Sequence, residues 1–188
     1  MKKNTFIFTV FLTLLLNACV SPPKLSVPEK IEYKKHTYFL TGQQDLGSMA
    51  RFFYLEKKDS LETWKSAVEL LHDRNYMQQS LDDRIALRKR VYSNTGVKHF
   101  KFQQKNGDLY AFVIYEPTVK NNDWQVDVAK GKNMLNCGFV QYQYSLKVPK
   151  TKKIRNMSNE KVVRYLKKYV AEKELKQLRK LDWAWGCQ

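Results

Sequence analysis

Two hydrophobic rhythms alternate along residues 29–188. Residues Ile31 to Leu40 and about Ser48 to Lys57 carry Tyr33, Tyr38, Phe39, Phe52, Phe53 and Tyr54, side chains that suit a pleated, half-buried surface. A turn containing Gly42 and Gly47 separates them, so they read as two strands. Asp59 and Glu62 then stand at capping-box spacing, and Leu61, Trp64, Val68 and Leu71 follow at intervals of three and four. That spacing predicts a helix with one buried stripe. Ser80 and Asp83 open a second helix, Leu81 to about Tyr92, whose stripe of Leu81, Ile85 and Tyr92 is interrupted by Arg88. The pair predicts an αα-hairpin laid on a sheet.

From Gly96 the period becomes two. Phe100 and Phe102 face one way while His99, Lys101 and Gln103 face the other, as in a strand with one wet side. Asn106-Gly107 is a hairpin signal, and Leu109 to Tyr115, apolar on both faces, reads as a central strand. Trp124, Val126 and Val128 alternate with Gln125 and Asp127, Gly131 is expected to turn the chain, and Val140, Tyr142, Tyr144, Leu146 and Val148 form a last apolar face. Four successive strands predict a meander. The chain closes with a helical stretch from about Ser158 to Trp183. Its first stripe is Val162, Leu166, Tyr169 and Val170, and its second, Ala171, Leu175 and Leu178, is displaced by more than a quarter turn at ~100° per residue. A break near Glu172, or a second half packed elsewhere, is the expectation. The resulting fold class is α+β: one antiparallel sheet in the order β-β-α-α-β-β-β-β-α, with helices mainly on one face, as a single domain over residues 29–188.

The first nineteen residues follow neither rhythm. Lys2 and Lys3 lead into an apolar run from Phe6 to Leu16 that ends at Leu16-Asn17-Ala18-Cys19. A basic head, a short apolar core and a small-residue site read as an export signal, and the run falls short of the roughly 20 apolar residues that span a bilayer. The stretch resembles the signal of bacterial lipoproteins, which ends in a leucine, two mostly small residues and an obligatory cysteine. The resemblance implies removal of residues 1–18 and acylation of Cys19 by an S-diacylglyceryl group and an N-acyl chain, and more than one chain holds a protein to a membrane where a single one does not. It also implies, from Val20 in place of an aspartate, the outer membrane facing the periplasm. Val20 to Pro28, VSPPKLSVP, reads as an extended tether over residues 19–28.

Charge and cysteines change the picture of partners. The net charge is +16, or 16 − 2 = +14 without Lys2 and Lys3, a field that favours anions. For an exported chain these are lipid head groups, anionic envelope polymers or partner proteins, and nucleic acid becomes a minor hypothesis. The basic run Lys147, Lys150, Lys152, Lys153 and Arg155, continued by Arg164, Lys167 and Lys168 at helical spacing, is the candidate anion-binding surface. A merely solvated lysine-rich surface is the alternative. Cys137 and Cys187, 50 residues apart, form the even pair expected of an oxidising compartment. A disulfide there would contribute about 4 kcal/mol in the chain-entropy account, and two separate buried thiols are the alternative.

Catalytic signatures are sparse. His36, His72 and His99 all precede Cys137, the reverse of cell-wall cysteine peptidases. The sequence contains no G-x-S-x-G elbow, no H-E-x-x-H and no phosphate-cradling glycine loop among its 7 glycines. Asp82, Asp83 and Glu56 leave a carboxylate pair open, although Asp83 has a plain role at a helix start. The expectation is therefore a membrane-anchored, non-enzymatic envelope lipoprotein, a binding or accessory module with no cofactor and no metal. An inhibitor or immunity-type lipoprotein is the alternative, and a cell-wall hydrolase stands behind it.

Overall fold

The computed structural model describes residues 23–188, without the side chains of Lys152 and Lys153. The export signal and Cys19 therefore lie outside the described residues. Eight strands form one curled antiparallel sheet in the spatial order β1-β2-β3-β4-β8-β7-β6-β5. The strands are β1 (Lys30–Tyr33), β2 (His36–Asp45), β3 (Met49–Leu55), β4 (Ser66–Asp73), β5 (His99–Lys105), β6 (Asp108–Tyr115), β7 (Trp124–Met134) and β8 (Gly138–Val148). Helix α1 (Leu81–Asn94) lies between β4 and β5 in sequence. Beyond β8 come a short α2 (Lys152–Arg155) and a run of 21 residues made of α3 (Asn159–Leu166), a π-helical turn (Lys167–Ala171) and α4 (Glu172–Arg179).

This corrects the expected α+β order and the αα-hairpin. The predicted helix through Leu61, Trp64, Val68 and Leu71 is instead a turn followed by β4, which pairs with β3 on one side and β8 on the other. A strand so placed is covered on both faces, so it carries apolar residues at both parities, and Val68 and Leu71 match a helical interval by coincidence. Asp59 and Glu62 belong to the turn, where the Ser60 hydroxyl donates to Glu62 at 2.8 Å. The predicted strand Ile31 to Leu40 is a hairpin, β1 and β2, turned by Lys34 and Lys35 at φ 53° and 66°. Gly131 does not turn the chain. It lies inside β7 under the Phe139 ring, where a Cβ would come within 2.5 Å of Cζ, and the turn falls at residues 135–137.

The helices occupy opposite faces, which corrects the one-sided arrangement. Alternate residues of β1 to β4 and β6 to β8, among them Tyr54, Leu70, Phe112, Val126, Tyr142 and Tyr144, form the main core with Val162, Leu166, Ala171, Leu175 and Leu178 of the C-terminal run. The π turn explains the displaced stripe. Its wider turn lengthens the spacing from Leu166 to Ala171 to five residues, so the positions on either side face the same core without a break near Glu172. Helix α1 covers the other face at one end, where Leu81 packs with Leu109 and Phe139. Its N-terminus is closed by a capping box, with the Asp83 amide donating to the Ser80 hydroxyl and the Ser80 amide to the Asp83 carboxylate.

The C-terminal tail returns to the start of the described chain. Leu25 pairs with Cys187, the Gln188 amide donates to the Lys24 carbonyl at 3.0 Å, and Leu25 is buried. A disulfide joins Cys187 to Cys137, with Cα atoms 5.3 Å apart. Gly138 follows at φ 86°, where a Cβ would sit 2.3 Å from the Asp73 carbonyl oxygen, so only glycine lets the β7–β8 turn approach the end of β4 this closely. No helix among the described residues is long and apolar enough to cross a membrane.

Candidate functional site

The face under α1 is not uniformly apolar. Strand register sets Glu69 against Gln143 and Ala67 against Ser145 across β4 and β8, and Ser145 against Asp127 across β7 and β8. Side chains alternate along a strand, so Glu69, Asp127, Gln141, Gln143 and Ser145 share the face that α1 covers only in part. Arg51 and Phe53 of β3, Tyr115 of β6, Gln125 of β7, Arg88 and Tyr92 of α1, and Leu61 and Trp64 of the turn before β4 complete a cavity of about 450 Å³. This is within the usual range for a small-molecule site.

The polar groups in it form one connected chain. The Arg88 guanidinium donates to Gln141 Oε1 at 2.5 Å, Gln141 donates to Gln143 Oε1 at 3.5 Å, and Gln143 donates to Asp127 Oδ2 at 3.4 Å and to Ser145 at 3.2 Å. Gln125 donates to Asp127 Oδ1 at 2.9 Å. Beside this chain, Arg51 grips Glu69 in a two-bond fork at 2.7 and 2.9 Å. Among the described residues neither Asp127 nor Arg88 has an ion-pair partner; each meets amides. Burial pushes the Asp127 carboxyl from 3.8 up to about 6, against the pull of the Gln125 and Ser145 hydrogen bonds, and the Glu69 charge adds to the rise. Burial also lowers the Arg88 guanidinium from its ordinary value and raises the Tyr92 and Tyr115 phenols.

The residues singled out from sequence are dispersed. Lys147 stands on the cavity side of β8 with its ammonium 4.3 Å from the Trp64 ring centre. Lys150, Arg155, Arg164, Lys167 and Lys168 are exposed on the following loop, α2 and the C-terminal helical run, over the opposite face of the sheet, so among the described side chains Lys147 stands apart from the other basic residues. Lys152 and Lys153 lie in α2, their side chains outside the described part. The carboxylates do not meet either, since Asp83 caps α1, Glu56 lies 3.3 Å from His36 and Asp82 is exposed. His99 faces Glu116 at 3.0 Å.

His72 sits beside the disulfide, and its ring and the two sulfurs fall within 4.8 Å of one another. The trio is not a ligand set as it stands, because both sulfurs are bonded to each other. His72 Nε2 is committed as well, as donor to the Cys137 carbonyl at 2.6 Å. Burial lowers the pKa of this ring, in keeping with a neutral imidazole.

The comparisons with known proteins follow the same body. A family model matches residues 25–183, most of the described chain. The chain belongs to that family. A relative from Haemophilus influenzae, described as an uncharacterized protein, is 42% identical over 189 residues that span 97% of this chain and 98% of the relative. No solved structure matches the chain. The family assignment carries no activity with it, so the reading of function rests on the cavity.

Proposed function

We propose that this is a lipid-anchored envelope protein whose body is a non-enzymatic binding module, taking a small polar ligand in the cavity between α1 and the sheet. The anchor rests on Leu16-Asn17-Ala18-Cys19 and its resemblance to lipoprotein signals. The carrying observation for the body is a cavity in which a buried carboxylate and a partly buried guanidinium have no counter-charge, the first held by the Gln125 and Gln143 amides and the Ser145 hydroxyl, the second by the Gln141 amide. Buried charge without a counter-charge opposes folding, and a bound ligand supplies the missing partner. Arg155, Arg164, Lys167 and Lys168 lie apart from the cavity and suit a non-specific approach to anionic envelope surfaces. A thermal-shift screen of amino acids, peptides, sugars and polyamines tests the binding role. At least one compound is expected to stabilise the wild-type protein and to lose its effect in Ser145→Leu and Gln143→Ala. A panel without such a compound would overturn the reading.

A second reading, hydrolysis of a cell-wall glycan, draws on Asp127 and Glu69 lining the same cavity, one with a raised pKa and the other held by Arg51. Against it, the Asp127 carboxyl accepts hydrogen bonds from two glutamine amides, which favour its ionised form over the proton donor that hydrolysis requires. Turnover of purified peptidoglycan that vanishes in Asp127→Asn would favour hydrolysis over binding.

A further inference from the structure

The two uncompensated charges differ in sign and sit at opposite ends of one hydrogen-bonded row of amides. That pattern constrains what can enter. An uncharged ligand would leave both groups without a counter-charge. A cation or an anion alone would satisfy one and leave the other. We propose that the cavity binds a short peptide with free ends, its ammonium on Asp127 and its carboxylate on Arg88. This rests on the binding reading above and adds the ligand class.

The spacing selects a peptide over a single amino acid. Arg88 holds Gln141, whereas Asp127 stands opposite Ser145, four positions further along β8. Four residues of strand cover about 13 Å, and the side chains that bridge them, Gln141 and Gln143, close part of that distance. The ends of a single amino acid are too close together to reach both groups. A chain of two or three residues, at about 3.3–3.6 Å per residue, fits.

What lies between the charges suits a peptide backbone. Gln141, Gln143 and Gln125 each offer a carbonyl and an amino group, the same complement as a peptide bond, and the links between Gln141, Gln143 and Asp127 are long, at 3.5 and 3.4 Å. A ligand amide can therefore replace them with shorter bonds. Phe53, Trp64, Tyr92 and Tyr115 form the apolar and aromatic parts of the wall, where side chains of small or medium size can rest. Arg51 and Glu69 neutralise each other and leave the charge count of the site unchanged.

The test is calorimetry on the wild-type body with the tripeptide Ala-Ala-Ala, its N-acetyl form, its C-terminal amide, and an uncharged N-acetylglucosamine trimer. The free tripeptide is expected to bind with a Kd of about 1 mM or tighter, and capping either end is expected to weaken binding by about tenfold or more. Asp127→Asn should erase the penalty of acetylation alone, and Arg88→Gln that of amidation alone. The capped series on the wild-type protein decides the matter even where a variant folds poorly. Equal binding of free and capped peptides, or no binding by the free tripeptide, overturns the assignment. A sugar trimer that binds while the peptides do not would sink the peptide assignment and leave the binding reading standing. A panel in which nothing binds would remove both.

Discussion

Asp127 is where the molecule departs furthest from what folding alone would choose. Its carboxyl is buried, and its pKa stands at about 6 against an ordinary 3.8. Between those values the folded state binds more protons than the unfolded chain, so stability falls as pH rises through this window and the loss is complete above about 6. The gap corresponds to something on the order of 3 kcal/mol at neutral pH. Asp127→Asn keeps the shape and removes the charge. It should raise the Tm at pH 7.5 by about 3 to 8 °C and have a much smaller effect at pH 4.5, a difference that calorimetry at the two values measures. Gain of stability with loss of binding is the behaviour expected of a functional residue. In the sequence Asp127 and Gln125 read as the wet side of an alternating strand, and Arg88 as a blemish in a helical stripe. Both patterns were visible, but their meaning depends on β7 and β8 lying in the interior of the sheet and on α1 crossing above them, which a local period does not reveal. Glu69, Gln141, Gln143 and Ser145 come from two strands far apart in sequence, and only the register brings them together.

The elements divide by how local their causes are. Helix α1 announces itself through Ser80 and Asp83, and β5 and β6 through Asn106-Gly107, because capping and tight turns act over three or four residues. The meander β5 to β8 was likewise legible from its period of two. β4 was not, because a strand covered on both faces loses the alternation that identifies strands. The π turn at Lys167–Ala171 is an intermediate case, since the displaced stripe is readable in the sequence but is equally compatible with a break or with a second half packed elsewhere. Its function in the fold is to re-aim Ala171, Leu175 and Leu178, and this can be tested by changing register without touching the core. Inserting an alanine after Lys168, which is exposed, adds a residue that the π turn cannot also absorb, so it should rotate α4 by about 100° and carry Leu175 and Leu178 off the sheet. The Tm should drop by about 10 °C or more, whereas Lys168→Ala should shift it by no more than about 2 °C. Thermal unfolding of the two variants side by side checks this.

At the scale of the whole molecule, the sheet separates two unlike surfaces. One carries the C-terminal helical run with its exposed basic residues, and the other carries α1 and the cavity, so the proposed attraction to an anionic surface and the proposed capture of a small ligand need not compete. Under the proposed lipid anchoring, where the molecule works depends on Cys19. Cys19→Ala should shift the protein from the membrane fraction to the soluble fraction, and fractionation followed by immunoblotting reads the outcome; retention in the membrane would remove the anchor. The pairing of Leu25 with Cys187 bears on how such experiments are built. Since Gln188 is tied to Lys24 and the adjacent cysteine is bonded to the β7–β8 turn, both ends of the described chain leave the body at a single pole. A fluorescent reporter fused after Gln188 would emerge beside Lys24 instead of on the far side, and under the proposed anchoring would crowd the approach of the body to its membrane. An internal insertion in the exposed 118–122 turn avoids that pole.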